Sequence, residues 1–160
     1  MTLARKTATN SAATIDPLSK RRLKMWIVLL GAARAAEGQL REFLRVNHTT
    51  TLPRFDVLAA LYRRRDAVTM SELSRMLLVS NGNATNVVDR LEKDGLLRRR
   101  ASETDRRTVF VALTDKGLSQ FEILAAGHER EVNAMFSGLA DADIDTLTAI
   151  LKRINAGDGA

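Results

Sequence analysis

After Gly95 the spacing of apolar residues changes from one in every three or four to one in two, and at Thr114 it changes back. The change is a change of secondary structure: period 3.6 paints one face of a helix, period two one face of a strand. Leu96 to Ala101 and Thr108 to Leu113 form the two period-two runs, with Val109, Val111 and Leu113 on one face of the second. The polar stretch Ser102-Glu103-Thr104-Asp105-Arg106-Arg107 between them predicts a hairpin tipped with charge. One hairpin set in an otherwise helical chain has to lie against those helices to bury its apolar face.

The helical parts have legible ends. Apolar residues at Met25, Leu29, Ala32, Ala36, Leu40 and Phe43 predict a long helix from about Leu18 to Val46, and the Thr-rich break Asn47 to Leu52 follows it. Pro53 suits the first turn of a second helix that buries Phe55, Leu58, Ala59 and Tyr62 and stops near Arg65-Asp66. Thr69 with Glu72 three residues on is a capping box for a short helix whose inner face is Leu73, Met76 and Leu77. Val79-Ser80 makes the turn, Ser80 caps the next helix to about Asp94 with Ala84, Val88 and Leu91 inward, and Gly95 ends it. Two short helices with a tight turn, followed by the hairpin, describe a mainly α (α+β) winged helix-turn-helix. Thr114 caps a further long helix marked by Leu118, Phe121, Leu124, Ala125, Val132, Met135 and Phe136, and a last one after Asp141 carries Ile144, Leu147, Leu151 and Ile154. The expected organisation is a disordered tail over 1–17, a helix over 18–48, the winged domain over 52–117 and C-terminal helices over 118–156.

Composition closes several functional classes. The chain has no cysteine, which removes disulfides, thiol catalysis, thiol redox sensing and thiolate zinc sites. His48 and His128 are its two histidines and have no ligand cluster around them, so no metal or cofactor is expected. Asp141, Asp143 and Asp145 imitate a calcium loop but lack its glycine, and they suit a helix start instead. No nucleophile-base set or phosphate-cradling glycine loop is present, so the chain is not expected to be an enzyme. The longest apolar run, Met25 to Ala33, is too short to cross a membrane, and the N-terminus has no signal-peptide core; a cytoplasmic protein is expected.

Charge points to a polyanion. Residues 1–60 hold ten Lys/Arg against four acids and residues 61–118 twelve against eight, whereas 119–160 hold three against seven. With Ala84, Val88 and Leu91 buried, the helix after Ser80 is left showing Asn83, Asn86 and Arg90, with Asn81 at its start. Asparagine pairs with adenine and arginine with guanine in the major groove of a DNA duplex. Asparagine near a helix start also satisfies loose backbone N–H groups, the plainer account of each taken singly. At the hairpin tip Arg107 and Arg106 are placed to enter a narrow minor groove, with Asp105 bracing a guanidinium. Arg75 on the preceding helix and Arg98, with Arg99 and Arg100, on the first strand are candidate phosphate contacts, although charge on an edge strand also deters aggregation.

Asp105-Arg106-Arg107 followed by Leu113-Thr114 and Gly117, together with Val88-Asp89-Arg90-Leu91-Glu92-Lys93-Asp94-Gly95-Leu96, resembles the MarR family of bacterial regulators. The resemblance covers about Phe55 to Gly117. It implies a homodimer with interlocked first and last helices, two winged domains on a pseudo-palindromic operator, Arg107 as the minor-groove arginine and Asp105 as its brace. Dimerisation also has a physical ground, because the stripes over Leu18–Val46 and Leu118–Ile154 show more apolar surface than a small winged domain can cover. The resemblance further implies a repressor role relieved by a small aromatic effector. Leu52-Pro53-Arg54-Phe55-Asp56-Val57-Leu58 and Ser80-Asn81-Gly82-Asn83 are similar to a branch controlling aromatic-acid catabolism, part of which senses aryl or hydroxycinnamoyl coenzyme A thioesters. Trp26, Arg34, Arg41, His48 and Arg54 would then line an effector slot, Arg41 alternatively pairing with Glu37 four residues before it. The alternative reading is an architectural or adaptor protein with nonspecific DNA contacts.

Overall fold

The computed structural model describes residues 16–78, 80–105 and 107–156, and of Asn81 only the backbone. Most of the expected tail therefore lies outside the described residues, as do Val79 in the helix-turn-helix turn and Arg106 at the hairpin tip. The chain divides into two compact units, one ending at Ala35 and one beginning at Ala36. Helix α1 runs Pro17–His48. In the first unit it shows Leu23, Met25, Trp26, Ile27 and Val28, each half or more exposed.

The second unit continues with α2 (Leu52–Arg64), β1 (Val68–Thr69), α3 (Met70–Leu77), α4 (Asn81–Lys93), β2 (Leu97–Ala101), β3 (Val109–Leu113), α5 (Asp115–Met135) and α6 (Asp141–Ala156). The expected hairpin is present as β2 and β3, in the register Leu97 opposite Leu113 and Arg99 opposite Val111. A third strand was not expected. β1 adds Val68 and Thr69 antiparallel to the far side of β3, giving the order β1-β3-β2. Two residues are too few to display a period, so nothing local announced them.

The helix ends form as the sequence chemistry dictates. Thr69 Oγ1 accepts from the Glu72 N–H at 3.2 Å, while the Glu72 carboxylate accepts from the Thr69 N–H at 2.8 Å. The Thr69 N–H and the Thr69 hydroxyl, which also donates to that carboxylate at 2.8 Å, hold Glu72 below the usual carboxylate range, the N–H contributing most. Ser80 Oγ accepts from the Asn83 N–H at 3.4 Å, and Thr114 Oγ1 from the Gly117 N–H at 3.0 Å. Gly95 has φ +72°, the left-handed conformation that stops a helix at low cost only for glycine. Gly117 answers a different demand: a Cβ there would stand 2.0 Å from the carbonyl oxygen of Leu96, so α5 crosses the start of the wing with no room for a side chain.

These ends deliver one aliphatic core. Leu44, Leu58, Leu61, Leu73, Leu91 and Leu124 are each at most 2% exposed, about 1.5–3 kcal/mol of burial for each leucine. Val88 of α4 and Val111 of β3 join them, so α4 and the hairpin are fastened to α2 and α5 by the same cluster. Beside it Phe55, Phe121 and Tyr62 pack at centroid separations of 5.6 and 4.8 Å, and His128 stacks on Phe55 at 4.3 Å. By contrast, α6 buries no residue, and its Ile144, Leu147, Ile150 and Ile154 remain 39–50% exposed.

Candidate nucleic-acid interface

Ala84, Val88 and Leu91 are at most 1% exposed, which fixes the rotation of α4 about its axis. Asn83, Asn86 and Arg90 consequently stand together on its exposed side, at spacings of three and four. They also form one wall of a cavity of about 450 Å³, facing Glu37, Asp56 and Pro53 of α1 and α2. Arg75 is exposed on α3. The turn into α4 is strained, for Leu78 has φ +54° and its side chain is 92% exposed.

In the wing, Asp105 differs from the expectation. Its carboxylate accepts the backbone N–H of Arg107 at 2.9 Å and the Thr108 hydroxyl at 2.8 Å, so among the described residues it braces the turn and not the Arg107 guanidinium. The physical reason is proximity: a short side chain two residues before an N–H closes a local turn on its own backbone. The same two donors lower its pKa, the Arg107 N–H foremost. Arg107 is left exposed on a tip that the Ser102 N–H to Thr108 carbonyl bond at 2.9 Å also closes.

The three arginines of β2 part company. Arg99 bonds Asp89 at 2.5 Å and Glu92 at 3.1 Å, both on α4, and its N–H reaches the second Glu92 oxygen at 3.2 Å. It ties the wing to the reading helix and is not available as the phosphate contact expected of it. Arg98 and Arg100 lie on the opposite face of the sheet from α4, exposed. The sequence reading missed the Asp89–Arg99–Glu92 clamp because a run of three arginines shows no alternation; the signal was the parity of Arg99 with the inward Leu97.

The expected effector residues of the second unit have partners of their own. Arg41 pairs with Glu37 at 2.5 Å and Arg54 with Asp94 at 2.5 Å, while the His48 ring meets Phe43 edge-on at 5.2 Å. Trp26 and Arg34 belong to the unit that ends at Ala35. Residues that the sequence reading did not single out, Glu37 and Asp56, line the cavity beside α4 instead. Burial pushes the Asp56 carboxyl up, and the neighbouring Glu37 pushes it further. Among the described residues there is no cluster of His, Asp and Glu suited to a metal, and no helix is long and apolar enough to cross a membrane.

A profile of the MarR family matches residues 48–108, from the end of α1 to the wing tip. Over 137 residues the chain is 32% identical to the HTH-type transcriptional regulator MhqR of Bacillus subtilis (strain 168), covering 86% of this chain and 93% of that one. This chain belongs to the MarR family. Its fold is similar to that of a MarR family transcriptional regulator from Streptomyces coelicolor in complex with DNA, with a TM-score of 0.78, 26% identity and coverage of 88% and 89%. It is also similar to a mutant MarR from E. coli complexed with operator DNA, with a TM-score of 0.74, 25% identity and coverage of 86% and 97%. As a MarR-family member the protein is a DNA-binding transcriptional regulator and not an enzyme.

Proposed function

We propose that this MarR-family regulator is a repressor that grips a pseudo-palindromic operator as a homodimer and lets go when a small aromatic effector enters the cavity beside α4. The observation that carries this reading is a shared wall: Asn83, Asn86 and Arg90 are both the exposed side chains of α4 and the lining of that cavity. A ligand there competes directly for the groups that pair with base edges, which is the differential contact release requires. In this reading Ser80, Asn81, Asn83, Asn86 and Arg90 enter the major groove, Arg107 and Arg106 the minor groove, and Arg75 a phosphate.

The apolar part of the cavity wall, with Val57, Leu77 and Val87, suits an aromatic ring, and its volume lies in the small-ligand range. Glu37 and Asp56 share the lining with a single cation among the described residues, Arg90, so in this reading the cavity takes the apolar ring of the effector and leaves its acid or thioester end outside. Dimerisation is supported by the uncovered row Ile144, Leu147, Ile150 and Ile154 on α6.

Footprinting the protein on its own upstream region tests the whole reading: two protected half-sites about one helical turn apart are expected. Arg107→Ala should weaken operator binding by about 1–3 kcal/mol and leave the oligomeric state unchanged. Uniform, salt-sensitive coating of DNA without a footprint would leave the adaptor reading standing in its place.

A further inference from the structure

The outer face of the wing sheet carries a second feature, on the side away from α4. Arg98 stands opposite Ala112 and Arg100 opposite Phe110, and directly opposed residues of an antiparallel pair share a face. Both arginines are exposed, and among the described residues neither forms an ion pair, whereas Arg99 between them is paired twice. Along the strand they are about 6.6 Å apart. Together with Ala67, Phe110, Ala112 and part of Arg99 they line a cavity of about 480 Å³. Through Ala67, Arg98 and Ala112 it adjoins a second cavity of about 480 Å³ that ends on Tyr62, Leu118 and the carboxylates of Asp115 and Glu122.

Charge and shape are therefore ordered along one groove. No carboxylate lines the end that holds Arg98 and Arg100, among the described residues, while Asp66, Asp115 and Glu122 gather at the other around one further cation, Arg65. An edge strand that carried charge only to repel other edges would need the arginines but not the concave apolar floor beneath them. Guanidinium groups offer planar forks matched to carboxylate or phosphate oxygens, and an aromatic floor with two alanines accepts a flat body. The crevice beside α4 has the opposite character, with Glu37 and Asp56 on its wall.

We propose that this outer sheet face is a second ligand site of the protein, taking an organic anion with its acid group at Arg98 and Arg100 and its flat apolar body on Phe110 and Ala112. The same strand holds α4 through Arg99 on its inner face, so an occupant on the outer face bears on the angle between wing and reading helix. That consequence for DNA rests on the regulator reading; binding itself does not.

The test is a titration of the full chain, isotopically labelled and without DNA, with 2-naphthoate, 2-naphthyl phosphate and the uncharged naphthalene-2-carboxamide, followed by amide shifts. The acids should move the amides of Arg98, Arg100, Phe110 and Ala112 saturably, and the tighter of the two identifies the head group. Arg98→Gln with Arg100→Gln should weaken binding at least tenfold. Ala112→Leu, which keeps both charges and fills the floor, should do the same. Shifts confined to Asn83, Asn86 and Arg90, equal binding of the carboxamide, or no saturable shift with the wild type would overturn the site. Because the readout needs no operator, those results would leave the repressor reading untouched, and a failed footprint would leave this one untouched.

Discussion

The winged domain and α6 both carry apolar faces and meet opposite fates. Leu73, Val88, Leu91 and Val111 vanish into one cluster at 0% exposure, whereas Ile144, Leu147, Ile150 and Ile154 remain 39–50% exposed. A helical stripe states that a face wants cover; it does not state which chain supplies it. The winged domain closes on itself because a hairpin, three short helices and the start of α5 surround one another. Helix α6 has no such neighbours among the described residues.

The comparison breaks most severely at the core. Leu91→Ala should cost about 2–5 kcal/mol in urea denaturation, since Leu91 is fully buried between α4 and the rest of the cluster. The loss should be the same at every protein concentration, because no second chain is needed to bury that side chain. A concentration-dependent loss would mean that the winged domain, too, is completed by a partner.

The converse substitution sharpens the other half. Ile144→Glu with Leu147→Glu should weaken self-association by at least about 2 kcal/mol in sedimentation equilibrium, while a dilute sample melts as the wild type does. Both side chains are already half in water, so little is lost within one chain. An unchanged dimer would show that α6 is not part of the interface.

The same contrast explains what was legible in the sequence. Capping chemistry is local, so Thr69, Ser80 and Thr114 could be placed from their neighbours alone, and the change of period at Gly95 located the hairpin. The exposed trio Asn83, Asn86 and Arg90 followed from three buried positions on the same helix. Long-range choices were not legible. The Arg54 pair with Asp94 spans forty residues, and nothing near either one signals it. Arg41 carried its signal in Glu37, four residues away, and the pair formed. Strand β1 has no pattern because it has no length, and the division of Arg98, Arg99 and Arg100 between two faces needed the register of β3.

A smaller effect separates strain from packing within the helix-turn-helix. Leu78 occupies left-handed space, which costs an L-residue about 1–2 kcal/mol, and buries almost none of its side chain. Leu78→Gly should therefore raise the melting temperature, the gain being the relieved strain less about 0.5–1 kcal/mol for the freer unfolded chain. The substitution is a stabilisation that the core variants cannot produce. A fall in melting temperature would show that the leucine side chain is covered by something the isolated chain lacks.

The smallest effect lies where α5 passes from one regime to the other. Its Gly117, Phe121, Leu124 and Gly127 are buried, and His128 comes directly after them, stacked on Phe55 and half-buried. Burial lowers the His128 pKa below its ordinary 6.5, so the folded chain resists the proton that the unfolded chain accepts. A group shifted in this direction leaves stability intact above the unfolded value and erodes it as pH falls from there towards the folded one. His128→Phe keeps a flat ring against Phe55 and removes the titration, so the difference in melting temperature between wild type and variant should widen as pH drops from 7.5 to about 5.5. A constant difference over that range would place His128 outside the winged domain's packed region and move the boundary between the two regimes towards Gly127.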